Sequence, residues 1–158
     1  MKHKIIVGAA LALAIGLPCA AADKACTLVT PAELESLVGK KVPMNGSAVG
    51  NAHICSGHTP TVSVMLRMAQ RKPGAGNEAA GVAAAEAMGL QVDVKTFGPV
   101  TCSTMVPPKD KEMYGFNTTC SVLKGTTVAA IEIKSKSRAA MVPIEKLRPV
   151  AEKMATRF

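Results

Sequence analysis

Residues 116–135 read FNTTCSVLKGTTVAAIEIKS, and this stretch decides the fold class. Two strand runs, 116–123 and 126–135, flank a turn at Lys124 and Gly125. Runs joined by so short a turn form an antiparallel hairpin, which places at least part of the chain in an antiparallel sheet.

Working upstream, residues 107–115 form a charged loop, and before it stand two further strand runs, 90–97 and 100–106, separated by Gly98 and Pro99. Leu90, Val92 and Val94 alternate in the first of these runs. Alternation is clearest over 61–68, where Val62, Val64, Leu66 and Met68 face one way and Thr61, Ser63, Met65 and Arg67 the other, as in a half-buried strand. A strand over 53–58 precedes it across a turn at Thr59 and Pro60, and residues 40–51, with Pro43, Asn45, Gly46 and Gly50, read as a loop.

Three helices complete the chain. Thr30 and Glu33 form a capping box with Pro31 at the first helical position, Leu34, Leu37 and Val38 share a face, and Gly39 stops the helix. Asn77 caps an Ala-rich helix that ends at Met88 and Gly89, whose small side chains allow it to lie close on a sheet. From Pro143 onward, Leu147, Val150, Ala151 and Met154 recur at helical spacing, with Pro149 either kinking this helix or opening a second segment. The expected fold is therefore α+β: an antiparallel sheet of about five to six strands, three helices packed mainly on one face, and two disulfides. A faint echo links Cys55-Ser56 before Thr61-Val62 with Cys120-Ser121 before Thr127-Val128, suggesting two related halves.

The N-terminus has the order of a secretory leader: Lys2, His3 and Lys4, an apolar run over 5–17, the helix breaker Pro18, and an A-x-A pattern at Ala20 and Ala22. The run is shorter than the roughly 20 residues that a spanning helix needs. Cleavage is expected before Asp23, giving a signal peptide over 1–22 and one exported domain over 23–158, periplasmic or secreted from a bacterium. Acylation at Cys19 is the alternative, and Pro18 disfavours it, because a lipidation site wants a small residue there.

The chain carries 19 Lys and Arg against 11 Asp and Glu, net +8, of which Lys2 and Lys4 belong to the leader. The excess gathers in residues 121–158, with eight Lys or Arg and three Glu. An acidic partner would suit this bias, with Lys134, Lys136 and Arg138 as candidate contacts, although lysines also guard exposed sheet edges. Nucleic acid is disfavoured by export and by the few aromatic rings, Phe97, Tyr114, Phe116 and Phe158.

Beyond the leader stand Cys26, Cys55, Cys102 and Cys120, an even number suited to two disulfides in an oxidising compartment. Three connectivities are possible; Cys26 with Cys55 and Cys102 with Cys120 close the shortest loops. His53, Cys55 and His58 have metal-ligand chemistry, but an oxidised Cys55 has no thiolate to offer and His58 points away from the other two along a strand. No metal or cofactor is expected. Gly74 and Gly76 fall in a strand-to-helix turn, yet Gly81 comes too late for a dinucleotide fingerprint. With only two histidines beyond the leader, no Gly-x-Ser-x-Gly elbow and no evident carboxylate pair, no catalytic residues are assigned.

The run Cys26-Thr27-Leu28-Val29-Thr30-Pro31-Ala32-Glu33-Leu34, followed by Leu37-Val38-Gly39 and Val42, resembles the opening of small exported domains of unknown function. Actinobacterial lipoproteins and the extracellular sensor domain of a mycobacterial serine/threonine kinase begin in a similar way. That resemblance implies a cysteine before a short helix, a second at a strand, a later cysteine pair and a closing amphipathic helix, and it brings no catalytic residues. The functional expectation is a non-enzymatic periplasmic binding module for a protein, of inhibitor or immunity type, or for a small ligand of the envelope. The other reading is an envelope-associated structural or anionic-polymer-binding protein that uses its basic C-terminal third. Neither reading needs a membrane-spanning segment.

Overall fold

The computed structural model describes residues 23–71 and 78–158. The expected leader, the Gly74 and Gly76 turn and the Asn77 cap lie outside the described residues. A 3-10 turn, Lys24–Thr27, leads into α1, Pro31–Val38. Strands β1 (Met44–Val49), β2 (Ala52–His58) and β3 (Val62–Gln70) follow, then α2 (Glu78–Ala87), β4 (Gln91–Phe97), β5 (Val100–Val106), β6 (Phe116–Lys124), β7 (Thr127–Ser135) and α3 (Ile144–Met154). All seven strands join one antiparallel sheet in the order β1-β2-β3-β7-β6-β5-β4.

The expected five to six strands are thus corrected to seven, because residues 44–49, read as loop, form the edge strand β1. An edge strand exposed on almost every residue has no inside-outside alternation to betray it. Three hairpins turn on two residues with glycine first: Gly50, Gly98 and Gly125 sit at φ +61°, +58° and +59°, where a side chain would be strained. The β6–β7 turn is therefore Gly125-Thr126, one residue later than the sequence suggests.

The sheet's core face carries one continuous row of partners: Gly46, Cys55, Leu66, Ile131, Cys120 and Cys102, running from β1 to β5. Cys55 and Cys120 stand symmetrically about the central β3–β7 pair, which gives the Cys-Ser echo a structural meaning. Cys120 bonds sideways to Cys102 on β5, whereas Cys55 bonds upward to Cys26 in the 3-10 turn. Gly46 makes the second bridge possible. A Cβ there would stand 2.4 Å from Asp23 Cβ and 3.0 Å from Cys26 Sγ, so only glycine admits the turn over β1.

Helix α3 covers β5 and β6 on the core face with Ile144, Leu147, Val150, Ala151 and Met154, all buried. It is one helix, running through an exposed Pro149. The connection into it is pinned by two hydroxyls: Thr118 Oγ1 donates to Val142 O at 2.6 Å and Ser135 Oγ to Ala140 O at 2.8 Å. Buried hydroxyls must be paired, and these two are paired by fastening the chain that positions α3.

Glu33 ties the two ends of the described domain together. Its carboxylate accepts Thr30 N–H at 2.9 Å in the capping box and takes both arms of Arg157 at 2.7 and 2.9 Å, while Arg157 also donates to Leu28 O. The Arg157 hydrogen bonds, opposed by desolvation and assisted by Thr30, hold the Glu33 carboxyl down to about 2. A carboxylate depressed in the fold stabilises fully above its unfolded value, and that contribution is lost as pH falls through the folded value. Acid melts should therefore show a steep loss of stability between about pH 4.5 and 2, and Glu33→Gln should flatten it while costing roughly 2 kcal/mol at neutral pH. Thermal melts across that range would check both effects; an unchanged acid limb in the variant would count against this assignment.

Candidate functional site

The face of the sheet away from α1 and α3 carries Val128 and Ala130 on β7, Thr119 and Ser121 on β6, Ser103 and Met105 on β5, and Val92 and Val94 on β4. Helix α2 crosses this second face, presenting Gly81, Val82, Ala83 and Ala85 to it. Of the three helices expected mainly on one face, α2 therefore lies on the other. Small side chains on both roof and floor leave space: a half-open groove of about 740 Å³, within the range that small-molecule sites occupy.

The groove has apolar walls and a polar stripe. Val82, Val92, Val94, Met105 and Val128 supply the walls, and Thr101, Ser103, Thr119 and Ser121 the stripe. Ser121 Oγ reaches Thr101 O at 3.4 Å and Thr119 Oγ1 reaches Asn117 Oδ1 at 3.5 Å, both long, and among the described residues Ser103 Oγ has no partner. These hydroxyls can each donate to or accept from a guest. Among the described residues the titratable side chains on the lining are Arg67, on β3, and Glu86, on α2. Arg67 is 52 % exposed and its ion pair with Glu132 is long, at 3.9 Å through one nitrogen, so its other donors can still meet an anion.

The sequence-predicted candidates fall elsewhere. Cys26, Cys55, Cys102 and Cys120 are all in disulfides. His53 lies on the core face, its Nδ1 3.1 Å from Asp23 Oδ2, while His58 is exposed on the opposite side of the strand, and Cys55 between them has no thiolate. Desolvation pulls the Asp23 carboxyl up, but the Ala25 N–H and His53 outweigh it and hold its pKa below the usual value. Among the described residues no group of three His, Cys, Asp or Glu side chains is placed to hold a metal ion, and no helix is long and apolar enough to cross a membrane. Lys134 and Lys136 line one shallow recess beside Gly115, and Arg138 follows in a 3-10 turn, Arg138–Ala140. None of the three lines the groove under α2.

Sequence reading missed the groove, although its components were in view. Ser103, Thr119, Ser121 and Ala130 are the small residues alternating with Cys102, Cys120, Val122 and Ile131 along the same strands. A strand whose second face is small and hydroxylated, beneath a helix of Ala and Gly, was the available signal. The chain matches no known family model, no curated protein and no solved structure.

Proposed function

We propose that this chain is a non-enzymatic binding module of the bacterial envelope, and that it holds a small amphipathic ligand in the groove between α2 and the second sheet face. The carrying observation is the groove itself: about 740 Å³ with valine and methionine walls, a stripe of hydroxyls and the exposed Arg67 guanidinium. Such a lining matches a guest with an apolar body, a few hydrogen-bonding groups and an acidic end that meets Arg67. Burial of the apolar body would supply the affinity, and the hydroxyls and Arg67 would fix its orientation. Two disulfides support a place outside the reducing cytoplasm. A small-ligand reading is favoured over an inhibitor or immunity role because the groove is concave and about the size of a single small molecule.

Dansyl-labelled undecanoic acid, an aliphatic carboxylate with an environment-sensitive fluorophore, tests this directly. A saturable blue-shifted emission is expected with the unmodified protein. Ser103→Trp, which fills the groove floor, should weaken binding by more than about tenfold, and Arg67→Ala by about tenfold, the worth of one hydrogen bond to a charged group. Melting curves check that both variants fold. Absence of saturable binding, or equal binding by folded Ser103→Trp, would overturn the proposal.

A further inference from the structure

The loop before β6 carries the most exposed large apolar side chain in the described part of the molecule, Met113, with a second exposed ring beside it. Met113 is 84 % and Tyr114 58 % exposed, at the end of the 3-10 segment Lys109–Tyr114. Lys134 lies across the adjacent Gly115, where a Cβ would stand 2.8 Å from its Cε, and Lys136 and Met113 line the same recess. Arg138 is exposed two residues further on. Among the described residues Lys134, Lys136 and Arg138 form no salt bridge; Glu112 lines the recess with the two lysines and Glu132 lies near Lys134, so the carboxylates close by do not pair with the three cations. Within the loop itself Lys109 and Lys111 are offset by Asp110 and Glu112, leaving the strand-end cations to set the sign. Lys111 also donates to Met88 O at 2.6 Å, holding the loop against the turn that ends α2.

We infer that this end of the molecule docks on an anionic lipid surface, with Met113 and Tyr114 entering the headgroup layer and Lys134, Lys136 and Arg138 meeting the phosphates. The inference is independent of the groove. Two protruding apolar side chains offer far less area than the roughly 800 Å² per partner of a stable protein interface, so a protein partner fits poorly. A soluble polysaccharide would gain nothing from the apolar tip. A bilayer surface uses both features at once: apolar and tyrosyl groups at the headgroup boundary, and cations against negative headgroups. It also needs no pocket.

Co-sedimentation of the processed protein with vesicles tests the inference. Phosphatidylglycerol vesicles at low salt should pellet the protein, and phosphatidylcholine vesicles should pellet far less. Replacing Lys134 and Lys136 by glutamine should weaken binding by about fivefold for each charge removed, and M113S/Y114S by about tenfold. Equal pelleting with both lipids, or variants that fold and pellet like the unmodified protein, would overturn the inference. So would binding to a soluble anionic polysaccharide that depends on the lysines while M113S/Y114S leaves vesicle binding unchanged.

Discussion

Joint replacement of Cys26 and Cys55 by alanine is expected to destabilise the domain by about 3.5 kcal/mol, the loop-entropy cost of releasing a bridge that closes 29 residues of chain. The bridge does more than shorten a loop. It joins the 3-10 turn that buries Ala25 and Leu28 to β2, and β2 in turn carries the edge strand β1, which has no other sheet partner. Released from Cys26, the 3-10 turn loses its covalent hold over Gly46, so β1 and β2 should exchange their amide protons faster than β6 and β7 in the same variant. Urea melts with hydrogen exchange would measure both. A uniform rise in exchange across all seven strands, with the same stability loss, would show that the bridge acts only on the unfolded chain.

Leu147→Ala should cost a similar amount, about 3 to 4 kcal/mol, as expected for a large side chain removed from a site that cannot collapse. Leu147 is fully buried at the centre of the α3 stripe, over the β5 and β6 strands whose Cys102–Cys120 bridge fixes the floor beneath it. Two buried hydroxyls hold the entry to α3, and Arg157 holds its exit to Glu33, so the helix cannot slide inward to fill the void. The loss should appear as a fall in melting temperature of roughly 10 °C. A fall of only a degree or two would mean that α3 repacks, and that the stripe is not the principal cover of the sheet.

Much of this architecture was legible because local chemistry and tertiary need agree. Thr30, Pro31, Glu33 and Gly39 specify α1, and the structure contains the reciprocal cap and the left-handed stop at Gly39. The alternation from Val62 to Met68 specifies β3, whose buried residues are Val62, Val64 and Leu66. β1 was illegible because nearly all its residues are exposed and the position under the 3-10 turn is a glycine, and only Gly50-Asn51 marked its hairpin. The side of α2 was illegible for a different reason. A helix of Ala and Gly has no apolar stripe to assign it to one face of a sheet, and the choice is made by the crossing from the central β3 to the edge strand β4. The groove follows from that crossing, so no motif search could have found it. Its hydroxyls looked like the polar half of ordinary alternating strands until α2 covered them.

The two surfaces differ in their response to salt. The groove under α2 is apolar with one guanidinium and should bind in a way that salt weakens only modestly, whereas the Lys134, Lys136 and Arg138 end is solvated and should respond steeply to ionic strength. The two surfaces share no lining residue, so each can be substituted on its own.

Native mass spectrometry of the untagged protein, purified from the cells that make it alongside Ser103→Trp, decides whether the groove holds a ligand. A non-covalent small-molecule adduct on the unmodified protein that is missing from the folded variant is the predicted result. A bare mass for both, or an adduct held equally by both, would contradict the groove as the site of function.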